Sequence, residues 1–461
     1  MMPIRNLVIV LFSTLLWYGL CGCQSFEPDF VPAQRLTFST DTVFFDTLLT
    51  AVRPYTRRLV VRNPTNQAVQ IQSVGLLKAE KSVYRLRING DLKQQAQNLR
   101  LLARDSVLIV IEPTLQTTTT DATLLLSDSL VFEVANNRQF VTILAWGQNT
   151  QTLNTNRLQG KNTWKAGTKY LLTKPLLVDS LAQLVIEEGV EVFCTAEAGL
   201  IVKGSLQVNG TCQKPVVFRG TRLDGLFEQA VGMWLGIFFE QGTYESYFQH
   251  ANISNATFGI RIGMPADADT IPELVIRNSK IQNMQEIGLT SFGADVVVEN
   301  TQINNCIKNL VFCVAGGTYR FRHCTFANTQ SEFFSKEPSV LFSNYFEVRN
   351  QPTLRSALAV QIENCIVWGD QQEELGIFAD TNSPSNVLIR HSLLKTTNTA
   401  LGQNNNILNQ NPKFVRPASL NFRLDKESPA LGKGLSLPQL STDISCRPRN
   451  TPPDLGAWQR N

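Results

Sequence analysis

The sequence predicts an all-β chain in which an antiparallel β-sandwich precedes a solenoid of stacked strands. Three observations carry the solenoid. A phrase recurs in which an apolar residue stands two before an Asn or His and another three after it. It reads Phe248-x-His250-x-x-Ile253, Ile276-x-Asn278-x-x-Ile281, Val298-x-Asn300-x-x-Ile303, Phe321-x-His323-x-x-Phe326, Ile362-x-Asn364-x-x-Val367 and Ile389-x-His391-x-x-Leu394. With Phe342-x-Asn344 placed between the fourth and fifth, although Glu347 spoils its third position, the anchors step by 28, 22, 23, 21, 20 and 27 residues. Such a period in β-rich sequence marks repeat architectures. The residues leading into each anchor alternate, as Val296 and Val298 do, which is the period of a strand and not of a helix. One short strand cannot bury its face alone, whereas stacked turns bury all of them along one core.

The elements follow in order. Residues 1–23 read as an export signal, with Arg5 ahead of an apolar stretch from Leu7 to Leu20. The ending Leu20-Cys21-Gly22-Cys23 matches a bacterial lipobox, with Cys23 as the acylated residue. An acylated chain is anchored to a membrane without spanning it. Residues 24–34 are a tether. Residues 35–148 carry period-two runs broken by turn signals: Arg57–Arg62 before Asn63-Pro64, Val69–Ile71, Ser106–Ile111 before Glu112-Pro113, and Val141–Gly147. These suggest an immunoglobulin-like sandwich, whose expected role is to space the body from the membrane. A polar linker covers 149–163, the coil 164–407 and a capping segment 408–461. Open coil ends expose strand edges, so the region near Trp164 and residues 408–461 are expected to cover them.

A second column, Asn255, Asn283, Asn305 and Asn328, stands five residues after successive anchors. Amides so placed can bond from turn to turn. The anchors share parity with inward apolar residues and are expected to point inward at a bend.

The phrases "VVVENTQINNC" (296–306) and "VQIENCIVW" (360–368) resemble the right-handed parallel β-helix of the pectate-lyase-like superfamily. The C-terminal run resembles an end-piece of bacterial extracellular β-helix proteins: Asn411-Pro-Lys-Phe414, Asn421-Phe-Arg-Leu424, Ser428-Pro-Ala430, Asp443–Arg449 and Asp454–Ala457. The whole chain resembles β-helix lipoproteins of the Bacteroidetes group. The resemblance implies an outer-membrane, lipid-anchored, cell-surface protein. It does not fix an activity, because the fold hosts lyases, hydrolases, adhesins and scaffolds.

Loss of Arg5 with the signal takes Lys+Arg from 42 to 41 against 38 acids, net +3. So small a charge, without a Lys/Arg run, argues against nucleic acid or an anionic membrane surface as the main partner. Hydrolases and lyases of the resembled superfamily work through paired carboxylates, or a basic residue beside calcium ligands. The chain has no Asp-Asp or Gly-His, and Arg261-Ile262-Gly263 lacks the Lys of the hydrolase motif. Two acidic stretches interrupt the ladder, one with Asp267, Asp269 and Glu273, the other with Asp370, Glu373, Glu374 and Asp380. The turns that carry them are counted as five steps apart, about 24 Å. That is too far for one calcium with ligands at about 2.4 Å. Solvated loops are favoured, with a calcium site inside one loop as the alternative and no cofactor expected.

The three histidines alternate with Asn at the anchor and read as corner residues before catalysts. Cys306, Cys324 and Cys365 read as small buried residues. Cys306–Cys313 and Cys194–Cys212 are candidate disulfides. Aromatics cluster at Trp234, Phe238, Phe239, Tyr244 and Tyr247, and at Phe333, Phe334, Phe342, Tyr345 and Phe346; core is favoured for most, a sugar-stacking flank for the rest. The expected function is a non-catalytic glycan- or protein-binding or scaffold module. The alternative is a polysaccharide lyase or glycoside hydrolase using carboxylates on the coil's flank.

Overall fold

The computed structural model describes residues 28–115, 124–135, 137–240, 242–263, 273–328, 337–350 and 352–460. The export signal with Cys23, the start of the tether, Asp267, Asp269, Phe333 and Phe334 lie outside them. The chain divides into two compact units.

The first unit is a sandwich of a six-stranded and a five-stranded sheet. Most of its pairings are antiparallel, but Val31–Pro32 runs parallel to Val69–Leu76, and Thr142 N on Asp41 O and Thr50 N on Gln148 O set Thr42–Leu49 parallel to Asn137–Gln148. The period-two runs explain the two faces. In Ser106–Pro113, Val107, Ile109 and Ile111 are buried while Leu108 is exposed. The run at 141–147 lies inside the strand Asn137–Gln148, which pairs with Leu124–Val134 along its length. Phe45, Tyr84, Phe132, Ile71 and Ile143 fill the core.

The second unit is a parallel β-helix. Among the described residues it contains three all-parallel sheets of eleven, nine and nine strands. One turn runs Lys280–Met284 in the first sheet, Ile287–Phe292 in the second and Asp295–Glu299 in the third. Each strand pairs in register with its equivalent a turn later, so like residues stack. Ile281, Ile303, Phe326 and Val367 form a buried column on the first sheet. Ile276, Val298, Phe321, Ile362 and Ile389 form another on the third.

The anchors have a backbone cause. His250, Asn278, Asn300, His323, Asn364 and His391 all adopt left-handed φ, between 46° and 56°. Asn and His are among the non-glycine residues that enter this region most readily. The corner between the third and first sheets therefore selects them for conformation.

Three expectations are corrected. Phe342-x-Asn344 is not a ladder phrase. Phe342 lies in the second sheet, between Cys313 and Ile377, while Gly317–Arg322 pairs directly with Leu358–Glu363 in the third. The 41 residues from His323 to Asn364 are thus one turn. It is lengthened by a hairpin, Tyr345–Phe346 against Leu354–Arg355. His250 and Asn364 are four turns apart, about 19 Å. Second, the stretch from Gly369 to Ser385 is no simple insertion, because it contains the second-sheet strand Leu375–Phe378. Third, the anchor side chains do not turn into the coil; several bond to the C-terminal segment, as described below.

The second Asn column is in register, but its amides are divided between rungs and caps. Asn305 donates to Asn283. Asn255 caps the carbonyls of Glu228 and Ala230, and Asn328 exchanges two bonds with the backbone of Cys306. Cys306, Cys313, Cys324 and Cys365 are fully buried and unpaired, so Cys306–Cys313 does not form. Burial pushes the Cys306 thiol up to about 12. Cys194 is also buried and free; Cys212 pairs instead with Cys446.

Candidate binding face and the cysteine–histidine corner

Glu273 is exposed and opens the third-sheet strand Glu273–Arg277, beside Asp295 of the next turn. Asp370 is exposed. The other two candidate acids are not solvated. Glu373 accepts from Thr396 Oγ1, Thr397 N and Thr397 Oγ1 at 2.5–2.7 Å, and ties two turns together. Glu374 is 1% exposed. Its Oε1 accepts from Gln371 N at 2.8 Å, and its Oε2 is buried without a hydrogen-bond partner among the described residues. Burial pushes its pKa above the ordinary carboxyl value, and the negative charge of Asp370 adds to this. The group therefore favours folding while protonated, and that contribution is lost as pH rises through its folded pKa. Glu374→Gln should match the parent near pH 4 and melt higher than the parent at about pH 8, as thermal unfolding at the two pH values would test. A parent that melts at or above the variant's temperature at the higher pH would refute it.

The outer face of the third sheet carries a charge ladder one residue before the anchors: Arg277, Glu299, Arg322, Glu363 and Arg390. In-register stacking brings each onto the next. Arg277 Nε lies 2.8 Å from Glu299, Arg322 Nη1 3.0 Å from Glu299, and Arg322 Nε 3.4 Å from Glu363. Arg390 completes the ladder on Glu363. Both glutamates are nearly buried while the arginines reach solvent. Beside this ladder a shallow groove is lined by Thr318, Arg320, Gln361, Asn386 and Leu388.

The second sheet carries an aromatic flank. Trp234, Phe239 and Phe342 are core, but Phe238, Phe258, Phe292, Phe312 and Phe346 are half-buried. Phe238 packs edge-on to Phe258 at 6.2 Å, with the Arg261 guanidinium 4.9 Å from its ring centroid. Phe346 meets Phe292 at 5.3 Å and Phe312 at 6.3 Å.

The C-terminal segment, expected as an end cover, lies as a strap along the anchor corner. After the hairpin of Phe414–Arg416 and Asn421–Leu424 it meets the anchors in reverse order. The Lys433 carbonyl lies 3.1 Å from His391 Nδ1. Asn364 exchanges bonds with the backbone of Leu435 at 2.7 and 2.8 Å. Asn300 donates to Thr442 O and accepts from Arg449 at 2.8 Å. Trp458 Nε1 donates to Gln302 at 2.7 Å, with Arg423 and Lys280 against its ring. His323 is wholly buried, and its Nε2 accepts from Asn364 at 2.9 Å; burial and nearby Arg449 hold its pKa well below the ordinary value. The acids of the C-terminal motif fold the strap upon itself. Asp443 accepts from Ser445, Arg447 and Gln459, and Asp454 from Gly432, Gln459 and Arg460.

At the far end of the strap, Cys446 is bonded to Cys212. His250 Nε2 lies 3.6 Å from the Cys212 sulfur and 3.7 Å from the Cys446 sulfur. Burial lowers the His250 pKa and favours neutral imidazole. These residues lie 38 and 196 positions from His250, so no local spacing signals the cluster.

The fold and these surfaces define a two-unit all-β protein with a parallel β-helix body. No family model and no curated protein matches the chain. Among solved structures, it is similar to the crystal structure of the E. coli chaperone DraB at 14% identity and a TM-score of 0.17, over 25% of this chain and 55% of that one. The chain thus spans about half the length of that structure, and so low a score carries no functional argument.

Proposed function

We propose that the β-helix body is a non-catalytic binding module for glycan or protein, carried on a lipid-anchored envelope protein. The observation that carries this reading is the third-sheet face. Its outer face carries the Arg/Glu ladder, whose buried acids, Glu299 and Glu363, are each held by two arginines. A carboxylate so held serves the scaffold and is poorly placed to trade protons with a substrate. The half-buried phenylalanines of the second sheet offer apolar ring surface of the kind that sugar rings stack against. Membrane attachment through Cys23, a Bacteroidetes-type outer-membrane location and an immunoglobulin-like class for the sandwich rest on the sequence resemblance. Acylation is tested by metabolic labelling with a fatty-acid analogue, expected in the parent and lost in Cys23→Ala.

The binding reading is tested by affinity electrophoresis of the mature chain in gels containing acidic or neutral polysaccharides, with assays for unsaturated and reducing ends. Retardation without release of new ends supports it, and Arg320→Ala should weaken retardation. Release that is abolished by substitution of Glu273 or Asp370 would replace it with the enzymatic alternative.

A further inference from the structure

We propose that Cys212, Cys446 and His250 form a site for a thiophilic divalent cation, zinc in class, when the cysteine pair is reduced. The inference is independent of the glycan- or protein-binding reading. Three ligand atoms from three distant parts of the chain lie within 4.8 Å of one another. A tetrahedral zinc with bonds of about 2.3 Å to sulfur and about 2.05 Å to nitrogen sets sulfur and nitrogen about 3.6 Å apart. The two distances from His250 Nε2 are 3.6 and 3.7 Å. The imidazole therefore already stands where such a cation needs it. Only the sulfurs must separate, to about 3.8 Å.

The neighbouring anchors give the contrast. Asn300, Asn364 and His391 face carbonyls or amides of the strap, whereas the ring nitrogen of His250 faces two sulfurs. Cys212 is half-buried and Cys446 reaches solvent, which leaves a solvent side for a fourth ligand such as water. A small thiol or phosphine supplies two electrons, and two protons complete the conversion of the disulfide to two thiols. The cation then displaces both thiol protons to solvent and binds two thiolates and the imidazole. The strap is clamped to the coil in either state, by a covalent bond when oxidised and by metal when reduced.

The test uses the full mature chain, reduced with a phosphine under inert gas, freed of reductant and titrated with Co2+ alone. The expected result is one cobalt per chain, with sulfur-to-cobalt charge-transfer absorption that Zn2+ abolishes. Cys446→Ser should lose the band. His250→Asn should fold, because Asn occupies the equivalent corner at 278, 300 and 364, and should weaken cobalt affinity at least tenfold. The proposal is overturned by a reduced chain with two titratable thiols and no band, or by unchanged affinity in either variant. A pair that cannot be reduced without loss of the β-sheet circular dichroism would overturn it equally.

Discussion

Replacing Cys446 with Ser should release the strap and cost the second unit several kcal/mol in metal-free buffer. The bond joins residues 234 positions apart. Chain-entropy reasoning assigns a closed loop of that size about 5 kcal/mol, an upper value for an undistorted link. Relief should be local before it is global, because the strap holds smaller clusters than the coil. Ile444, Ala457 and Trp458 form one, and Leu455, Ala430 and Leu424 with Ile366 and Leu393 another. Hydrogen exchange should rise first across residues 430–460, with the third-sheet strands still protected. Uniform loss of protection through the coil, or none in the strap, would contradict this.

The second large effect is expected at Glu363. Its carboxylate is 2% exposed and lies between Arg322 and Arg390. Glu363→Gln leaves two guanidinium groups facing each other across a neutral amide. The carboxylate is buried but Arg322 and Arg390 reach solvent, so the loss is that of charge-assisted hydrogen bonds, about 1.5–3 kcal/mol. Arg277→Gln, at the ladder's more exposed end, should cost less than about 1 kcal/mol. Denaturant unfolding of both variants separates ladder from surface charge, and equal small costs would show that the ladder contributes little.

The coil was legible because its core columns repeat and its corner needs a residue that tolerates left-handed φ. The same column misled at Asn344. Its phrase has Phe342 at the first apolar position but Glu347 where the second belongs, it sits in the second sheet, and its φ is not left-handed. A second signal could have exposed the error. From Asn278 onward the residues before the true anchors alternate in sign, Arg277, Glu299, Arg322, Glu363, Arg390, although Gln249 before His250 is neutral, and Ser343 breaks that alternation. The anchors' direction was misread because strand parity does not persist through a left-handed corner. Acids 373 and 374 were misjudged because composition does not distinguish a loop from a strand flanked by turns. The Cys212–His250–Cys446 cluster was illegible because it depends on the path of the strap, which no periodicity records. The strap's own motifs were visible at Asp443–Arg449 and Asp454–Ala457, but what they fold against was not.

The central claim, that the C-terminal strap lies on the anchor corner, is tested most directly by a double-mutant cycle between Gln302 and Trp458. The two are 156 residues apart and share one hydrogen bond of 2.7 Å. Gln302→Ala removes the acceptor together with the bond of Gln302 to Asn304, and Trp458→Phe removes the donor but keeps a ring for Arg423 and Lys280; the cycle cancels what each change does elsewhere. The account predicts a coupling of about 1 kcal/mol, with the double variant more stable than the sum of single losses implies. Strict additivity would show that Trp458 does not lie against this turn and would contradict the strap.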